Sequence, residues 1–322
     1  MADAPLIRPI LYISLLGVTA VSMSACSTMT PATPAVAPVL EAPRVALVLG
    51  GGGAKGFAHV GVIKALEKGG ITPTIVVGTS VGSLVGSLYA SGIQPSRLEQ
   101  IALTTADSEL LDFTLSSQGF IEGIKLKNFI NTHVMGQSIE DFPITFAAIA
   151  AERSTLTKTV FSTGNAGLAV QASCSVPNVF ISPRIPEKIG KKYIDGGVVS
   201  LIPVDSAFDL GADIVIAVDV TATDSTATKK SSQMLNIKSL GSFWGLLEQN
   251  LTTNVSTATS KSTNAELSRA DIVITPKISH ISSLDTSQRR DLIEAGSQAT
   301  TAQIITIKQL IADKSKSKYA RL

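Results

Sequence analysis

Val45-Ala46-Leu47-Val48-Leu49 runs directly into Gly50-Gly51-Gly52-Gly53-Ala54-Lys55-Gly56, and Phe57 to Lys68 follows with apolar residues at helical spacing (Val60, Ile63, Leu66). An unbroken β-favouring run without alternation predicts a strand buried on both faces, as in a parallel sheet. A second unit repeats the pattern. Thr74-Ile75-Val76-Val77 predicts a strand, Gly78-Thr79-Ser80-Val81-Gly82 a tight turn, and Ser83 to Ser91 a helix of small residues. Strand, helix, strand, helix is the order of an α/β protein, so the expected fold is a mainly parallel central sheet flanked by helices. Later strands are expected at Thr145–Ala151, Thr159–Ser162, Lys192–Ile194, Ile214–Val220 and Ile272–Thr275. Residues 224–266 are polar and read as an excursion carrying a helix around Phe243–Leu251, and Arg289–Asp313 reads as one closing helix.

The glycine run satisfies three motifs on paper. Gly51-x-Gly53-x-x-Gly56 fits the dinucleotide fingerprint, but that fingerprint needs a carboxylate about 20 residues on to hold the ribose. No acid stands between Gly69 and Pro95. A phosphate-binding loop closes with Gly-Lys-Ser/Thr, whereas Phe57 follows Gly56. The third reading is an oxyanion hole. Successive glycines at a helix N-terminus aim several backbone N–H groups at one point, with no Cβ in the way. One strand–helix unit later, Gly78-x-Ser80-x-Gly82 has the form of a nucleophile elbow, which presents Ser80 Oγ on a sharp strand-to-helix turn.

A serine hydroxyl needs a base. Ser80, Asp219 and His280 follow the chain order of an α/β-hydrolase triad, although only one strand precedes this elbow. Asp219 also stands at a strand end, where it would satisfy loop amides. The alternative base is Asp195, in Tyr193-Ile194-Asp195-Gly196-Gly197, an acid at a strand end beside two glycines that admit another backbone. An aspartate held against Ser80 Oγ takes the proton directly.

Glycine loop, Gly-x-Ser-x-Gly and Asp-Gly-Gly, in this order, resemble the patatin-like phospholipase family, in particular its bacterial and neuropathy-target-esterase-like branch. Phe57-Ala58-His59-Val60-Gly61-Val62 and Ala172-Ser173-x-Ser175-Val176-Pro177-x-x-Phe180-x-x-Pro183 resemble further stretches of that family. The likeness covers Arg44 to Asp209, and more loosely Ile214–Val220. It implies a three-layer sandwich, a Ser–Asp dyad carried by Ser80 and Asp195, and an oxyanion hole from the Gly51, Gly52 and Gly53 amides. Gly56, Gly78, Gly82, Gly196 and Gly197 complete the motifs. It further implies hydrolysis of lipid acyl esters with no histidine base, no metal and no organic cofactor. His59 is then a polar residue of the first helix turn. Ala150-Ala151-Glu152 departs from the Ala-Thr-Asp of many relatives, a change expected to alter the pocket wall while touching neither dyad residue. A tethered binding or scaffold protein without turnover is the other class of reading, and the intact Ser80 and Asp195 speak against it. Lys55 reads as a loop cap or a solvated cation, with assistance to anion binding as the alternative, Cys174 as a buried inert thiol, and His133 as a surface residue.

The N-terminus reads as an export signal. Arg8 precedes the apolar run Ile10–Val21, which is too short for a membrane span and fits the core of a signal peptide. Met23-Ser24-Ala25-Cys26 then resembles the lipobox of bacterial lipoproteins, where cleavage leaves an acylated Cys26 first. Ser27, in place of the Asp that retains lipoproteins at the inner membrane, points to the outer membrane. Ser27–Pro43, with its prolines among Ala, Thr and Val, reads as an extended tether. The expected organisation is therefore a signal peptide over 1–25, a lipidated cysteine and tether over 26–43, a catalytic core over 44–209, and strands and helices completing the domain over 210–322. Asn250-Leu251-Thr252 spells a glycosylation acceptor that bacterial export makes idle. Apolar residues at 44% support a sizeable core, and a net charge of +2 argues against a nucleic-acid partner. Two cysteines and three scattered histidines (His59, His133, His280) make a poor metal-site inventory. The partners expected are a lipid or lysophospholipid substrate and, through Cys26, a membrane.

Overall fold

Every residue of Val45–Leu49 is buried, as a strand covered on both faces requires. The computed structural model describes residues 42–116, 118–222 and 257–319, all within one compact unit, Glu41–Leu322. The expected signal peptide, Cys26, most of the expected tether, the helix expected at Phe243–Leu251 and Asn250 lie outside the described residues. The first half of the domain comprises β1 (Val45–Leu49), α1 (Phe57–Lys68), β2 (Ile75–Thr79), α2 (Val81–Ala90), α3 (Pro95–Thr104), α4 (Asp107–Leu110), β3 (Phe113–Ser116), β4 (Gly119–Ile121) and α5 (Ile124–His133). Then come β5 (Thr145–Glu152), β6 (Lys158–Phe161), α6 (Ala166–Ser173), β7 (Arg184–Ile185), β8 (Lys191–Asp195), α7 (Val204–Asp209) and β9 (Ile214–Val218). After the next described stretch begins, the order is α8 (Thr257–Leu267), β10 (Ile272–Ile274), α9 (Arg289–Thr301) and α10 (Ile304–Tyr319).

The sheet order is β10-β9-β1-β2-β5-β8-β7, with β6 also pairing β5. From β10 to β5 all pairings are parallel; β6 and β8 run antiparallel to β5, and β7 antiparallel to β8. The sheet is therefore mainly parallel, as expected. Alternate residues of β1 feed separate cores. Val45, Leu47 and Leu49 pack in the cluster that holds residues of α1, α2 and α9, while Ala46 and Val48 pack with Val204 and Ala207 of α7. Helices thus cover both faces, giving three layers. Fully burying a side chain such as Leu47 or Leu49 contributes roughly 1.5–3 kcal/mol.

Two expectations need correction. The closing helix is two helices, α9 and α10, broken at Ala302–Gln303. Gln303 Nε2 donates to the Val273 carbonyl of β10, a tertiary contact that fastens the break. The strand expected to reach Val220 ends at Val218, because the Asp219 side chain turns the chain by accepting from the Thr221 and Ala222 amides.

Strand register positions the site. Gly78 pairs with Ala148 and Thr79 with Ile149, while Ala150 pairs with Asp195. Ser80, the next residue after Thr79, is therefore level with Asp195, with only β5 between their strands. The glycine loop leaves the end of β1, which pairs β2 through Leu49 and Gly78. All three motifs meet at one end of the strands, outside the carboxyl ends of parallel strands where α/β proteins form their clefts.

Candidate active site

Ser80 sits between β2 and α2 at φ 54°, ψ −128°, a conformation that L side chains rarely adopt and that costs of the order of 1–3 kcal/mol. Its neighbours explain how the turn closes. A Cβ on Gly78 would lie 2.4 Å from the Gly82 carbonyl carbon, and one on Gly82 would lie 2.0 Å from the Leu49 carbonyl oxygen. Only glycine at both positions lets the elbow pack against the end of β1. The Ser80 amide donates to Ser173 Oγ (2.9 Å), which in turn donates to the Ile149 carbonyl (2.6 Å).

Asp195 is 6% exposed and lines the same cavity as Ser80. Asp195 Oδ1 accepts from the Gly197 amide at 2.7 Å, and the Asp195 amide donates to the Ser175 carbonyl at 2.8 Å. Burial pushes the Asp195 pKa up to about 6, and the nearby Ser80 hydroxyl and the Gly197 amide partly oppose that rise. Gly196 permits the approach of β5, since a Cβ there would lie 2.2 Å from the Ile149 carbonyl oxygen. The stretch Ala172–Pro177 therefore fastens Ser80 and Asp195 in place, Ser173 holding the elbow amide and Ser175 holding Asp195. In the sequence these serines stand out only through the family likeness, because each contact crosses from the end of α6 to a distant strand.

The glycine loop differs from expectation in one donor. The Gly51 amide is spent on the Leu201 carbonyl (3.0 Å). Among the described residues, neither the Gly52 nor the Gly53 amide donates to a backbone carbonyl, and both residues line the cavity that contains Ser80 and Asp195. Gly53 takes φ +58°, and a Cβ there would lie 2.4 Å from the Ser283 carbonyl oxygen. Gly56 abuts Val81 of the elbow helix, where any side chain would separate loop from elbow.

This cavity has a volume of about 830 Å³, within the range of small-molecule sites. Its inner wall is apolar, including Leu84, Leu88, Ile101, Ile121, Leu126 and Phe129. Half-buried Lys55 lines the same cavity; burial lowers its pKa, and the nearby charge of Asp219 opposes that.

A family model of the patatin-like phospholipases matches residues 47–208, just over half of the chain. The chain belongs to the patatin-like phospholipase family. Patatin-like phospholipase domain-containing protein 6 of Mus musculus is 34% identical over 197 residues, 59% of this chain and 14% of that protein. An NTE family protein of Mycobacterium tuberculosis is 34% identical over 190 residues, 57% of this chain and 51% of that one. The chain therefore spans a small part of the mammalian relative and about half of the mycobacterial one. The crystal structure of VipD from Legionella pneumophila shares the fold, with a TM-score of 0.56 at 15% identity, covering 83% of this chain and 67% of that chain.

Against this patatin-like frame the histidine triad fails on geometry. His280 is exposed and lines no part of the cavity. Asp219 Oδ1 serves Thr221 and Ala222 instead. His59 is fully buried, with Nε2 bonded to the Gly50 carbonyl at 2.8 Å. Burial lowers its pKa to about 4, against the weaker upward pull of that hydrogen bond, so it is neutral at pH 7 and donates from Nε2. His133 is half-buried rather than on the surface, its Nδ1 bonded to the Phe129 carbonyl. Cys174 is buried, and burial pushes its thiol up, away from the reactive thiolate. Glu152 reaches out to Lys191 (2.7 Å) and does not line the cavity.

Proposed function

We propose that this chain is a lipid acyl hydrolase, a serine esterase of the phospholipase A or lysophospholipase type, working through a Ser80–Asp195 dyad. The observation that carries this reading is that the elbow serine Ser80 and the buried carboxylate of Asp195 line one apolar cavity, beside a glycine loop. Ser80 Oγ attacks the ester carbonyl carbon while its proton passes to the Asp195 carboxylate. The carbonyl oxygen becomes an oxyanion that accepts hydrogen bonds from the Gly52 and Gly53 amides. Collapse breaks the bond to the alcohol, which leaves with the proton from Asp195, and the acyl group stays on Ser80. Asp195 then takes a proton from water, the resulting hydroxide attacks the acyl-enzyme, and Ser80 recovers its proton as the fatty acid leaves. A base whose conjugate acid has a pKa of about 6 is ionised at pH 7 yet still accepts a proton in the transition state. The apolar wall suits an acyl chain.

The lipobox-like Met23–Cys26 and the tether support placement at the cell envelope, with acyl chains on Cys26 anchoring the domain and the outer membrane favoured. Among the described residues no helix is long and apolar enough to cross a membrane. A fluorophosphonate probe tests the chemistry: an adduct mapped to Ser80, and absent from Ser80→Ala, is expected, and undiminished labelling of Ser80→Ala would contradict it. Cys26→Ser tests the anchor, since it should release the domain from the membrane fraction. An unmodified Cys26 in the wild type would refute it.

A further inference from the structure

Thr79, just before the nucleophile, donates its hydroxyl to the Ser200 carbonyl at 2.9 Å, with both residues buried. The next carbonyl, that of Leu201, accepts from the Gly51 amide at 3.0 Å. Ser200 itself hangs from the Asp195–Gly197 turn, since its amide donates to the Gly196 carbonyl at 2.9 Å. Two adjacent residues therefore hold the elbow, the glycine loop and the Asp195 turn to one another. Something must hold those two residues. Ser200 Oγ lies 2.9 Å from both Oε1 and Oε2 of Glu266, on α8, and donates to that carboxylate. Glu266 is 6% exposed, so its carboxylate is held inside the domain against Ser200. The carboxylate therefore grips the segment at Ser200, the residue that carries the brace. No step of the proposed reaction uses Glu266, yet a buried carboxylate is costly unless its hydrogen bonds repay desolvation.

We propose that Glu266 is a positioning residue: acting through Ser200, it fixes the 200–201 brace that sets the distance between the Ser80 elbow and the oxyanion donors. Its meaning for catalysis rests on the reading of Ser80 as nucleophile, whereas the brace itself does not. Glu266→Ala removes the grip, and Glu266→Gln keeps an acceptor for Ser200. Asp205→Asn serves as the control, because it breaks the pair between Asp205 of α7 and Arg269, just after α8, without touching Ser200. Full chains are compared by kcat and KM on a chromogenic ester, and by hydrogen exchange of peptides covering Gly50–Gly56 and Gly78–Gly82. Glu266→Ala is expected to lower kcat about tenfold or more with KM within about twofold, since small misplacement of reacting groups is costly. Exchange at the Gly51 amide should accelerate about tenfold. Glu266→Gln should recover kcat to within about threefold, and Asp205→Asn should change neither readout. Unchanged kcat and exchange in folded Glu266→Ala would overturn the proposal, as would equal losses in Asp205→Asn. If Glu266→Ala does not fold, Ser200→Ala cuts the same link and is judged by the same criteria. If the wild type cleaves no ester, the nucleophile reading falls separately, and the exchange comparison still decides the brace.

Discussion

Replacing Asp195 with Asn should make the protein more stable while nearly silencing it. The carboxyl releases its proton at a pKa of about 6 in the fold and 3.8 when free. In the window between those values the folded chain binds more protons than the unfolded chain, so stability falls as pH rises through it. At about 1.36 kcal/mol per pKa unit, keeping Asp195 ionised at pH 7 costs the fold about 3 kcal/mol. Asn removes that cost without losing the local geometry. Its Oδ1 accepts from the Gly197 amide, now bonded at 2.7 Å, and its amide group faces Ser80. An amide is too weakly basic to take the serine proton, so turnover should fall by about 10²–10⁴, the share of a general base. Urea denaturation at about pH 7.5 and at about pH 3.5 measures the difference between variant and wild type. The difference is the right quantity, because acidification also protonates unfolded His59, which the fold keeps neutral down to about 4. A gain of about 3 kcal/mol near neutrality that disappears in acid is expected. A variant less stable than wild type at about pH 7.5, or an equal gain at both pH values, would refute the assigned burial cost.

Turnover limited by Asp195 should climb as pH rises through about 6 and then level, because the ionised form is the base; a kcat/KM profile flat from about pH 5 to 8 would contradict this. Gly52→Ala puts a Cβ 2.6 Å from Val220 Cγ2 and shifts a proposed oxyanion donor, so kcat should drop about 10²–10³ in a folded protein. His280→Ala should keep kcat within about twofold of wild type, since the exposed ring takes no part in proton transfer. Ser80→Gly should exceed Ser80→Ala in thermal stability by about 1 kcal/mol, because glycine relieves the φ of 54°.

The core of the site was legible because its determinants are local. An unbroken apolar strand, a glycine loop and a Gly-x-Ser-x-Gly turn each specify backbone geometry within a few residues, and Asp195-Gly196-Gly197 carries the same kind of signal. What escaped was set by distant partners. The Gly51 amide looks like an oxyanion donor until Leu201 meets it, 150 residues later in the chain. Glu266 sits in a stretch whose polarity suggests an exposed excursion, and only the packing of α8 over Ser200 buries it. Helices α3, α5 and α6 were not assigned from sequence. The break at Ala302–Gln303 carries neither glycine nor proline, so the chain offers no local stop signal there.

Release of free fatty acid from phospholipid and lysophospholipid, followed by mass spectrometry with purified wild type and Ser80→Ala, tests the central claim most directly. The wild type should liberate fatty acid from at least one of these lipids, with Ser80→Ala at the no-enzyme rate. Equal release by both proteins, or none from the wild type while its Ser80 remains reactive toward fluorophosphonate, would contradict a lipid acyl hydrolase centred on Ser80.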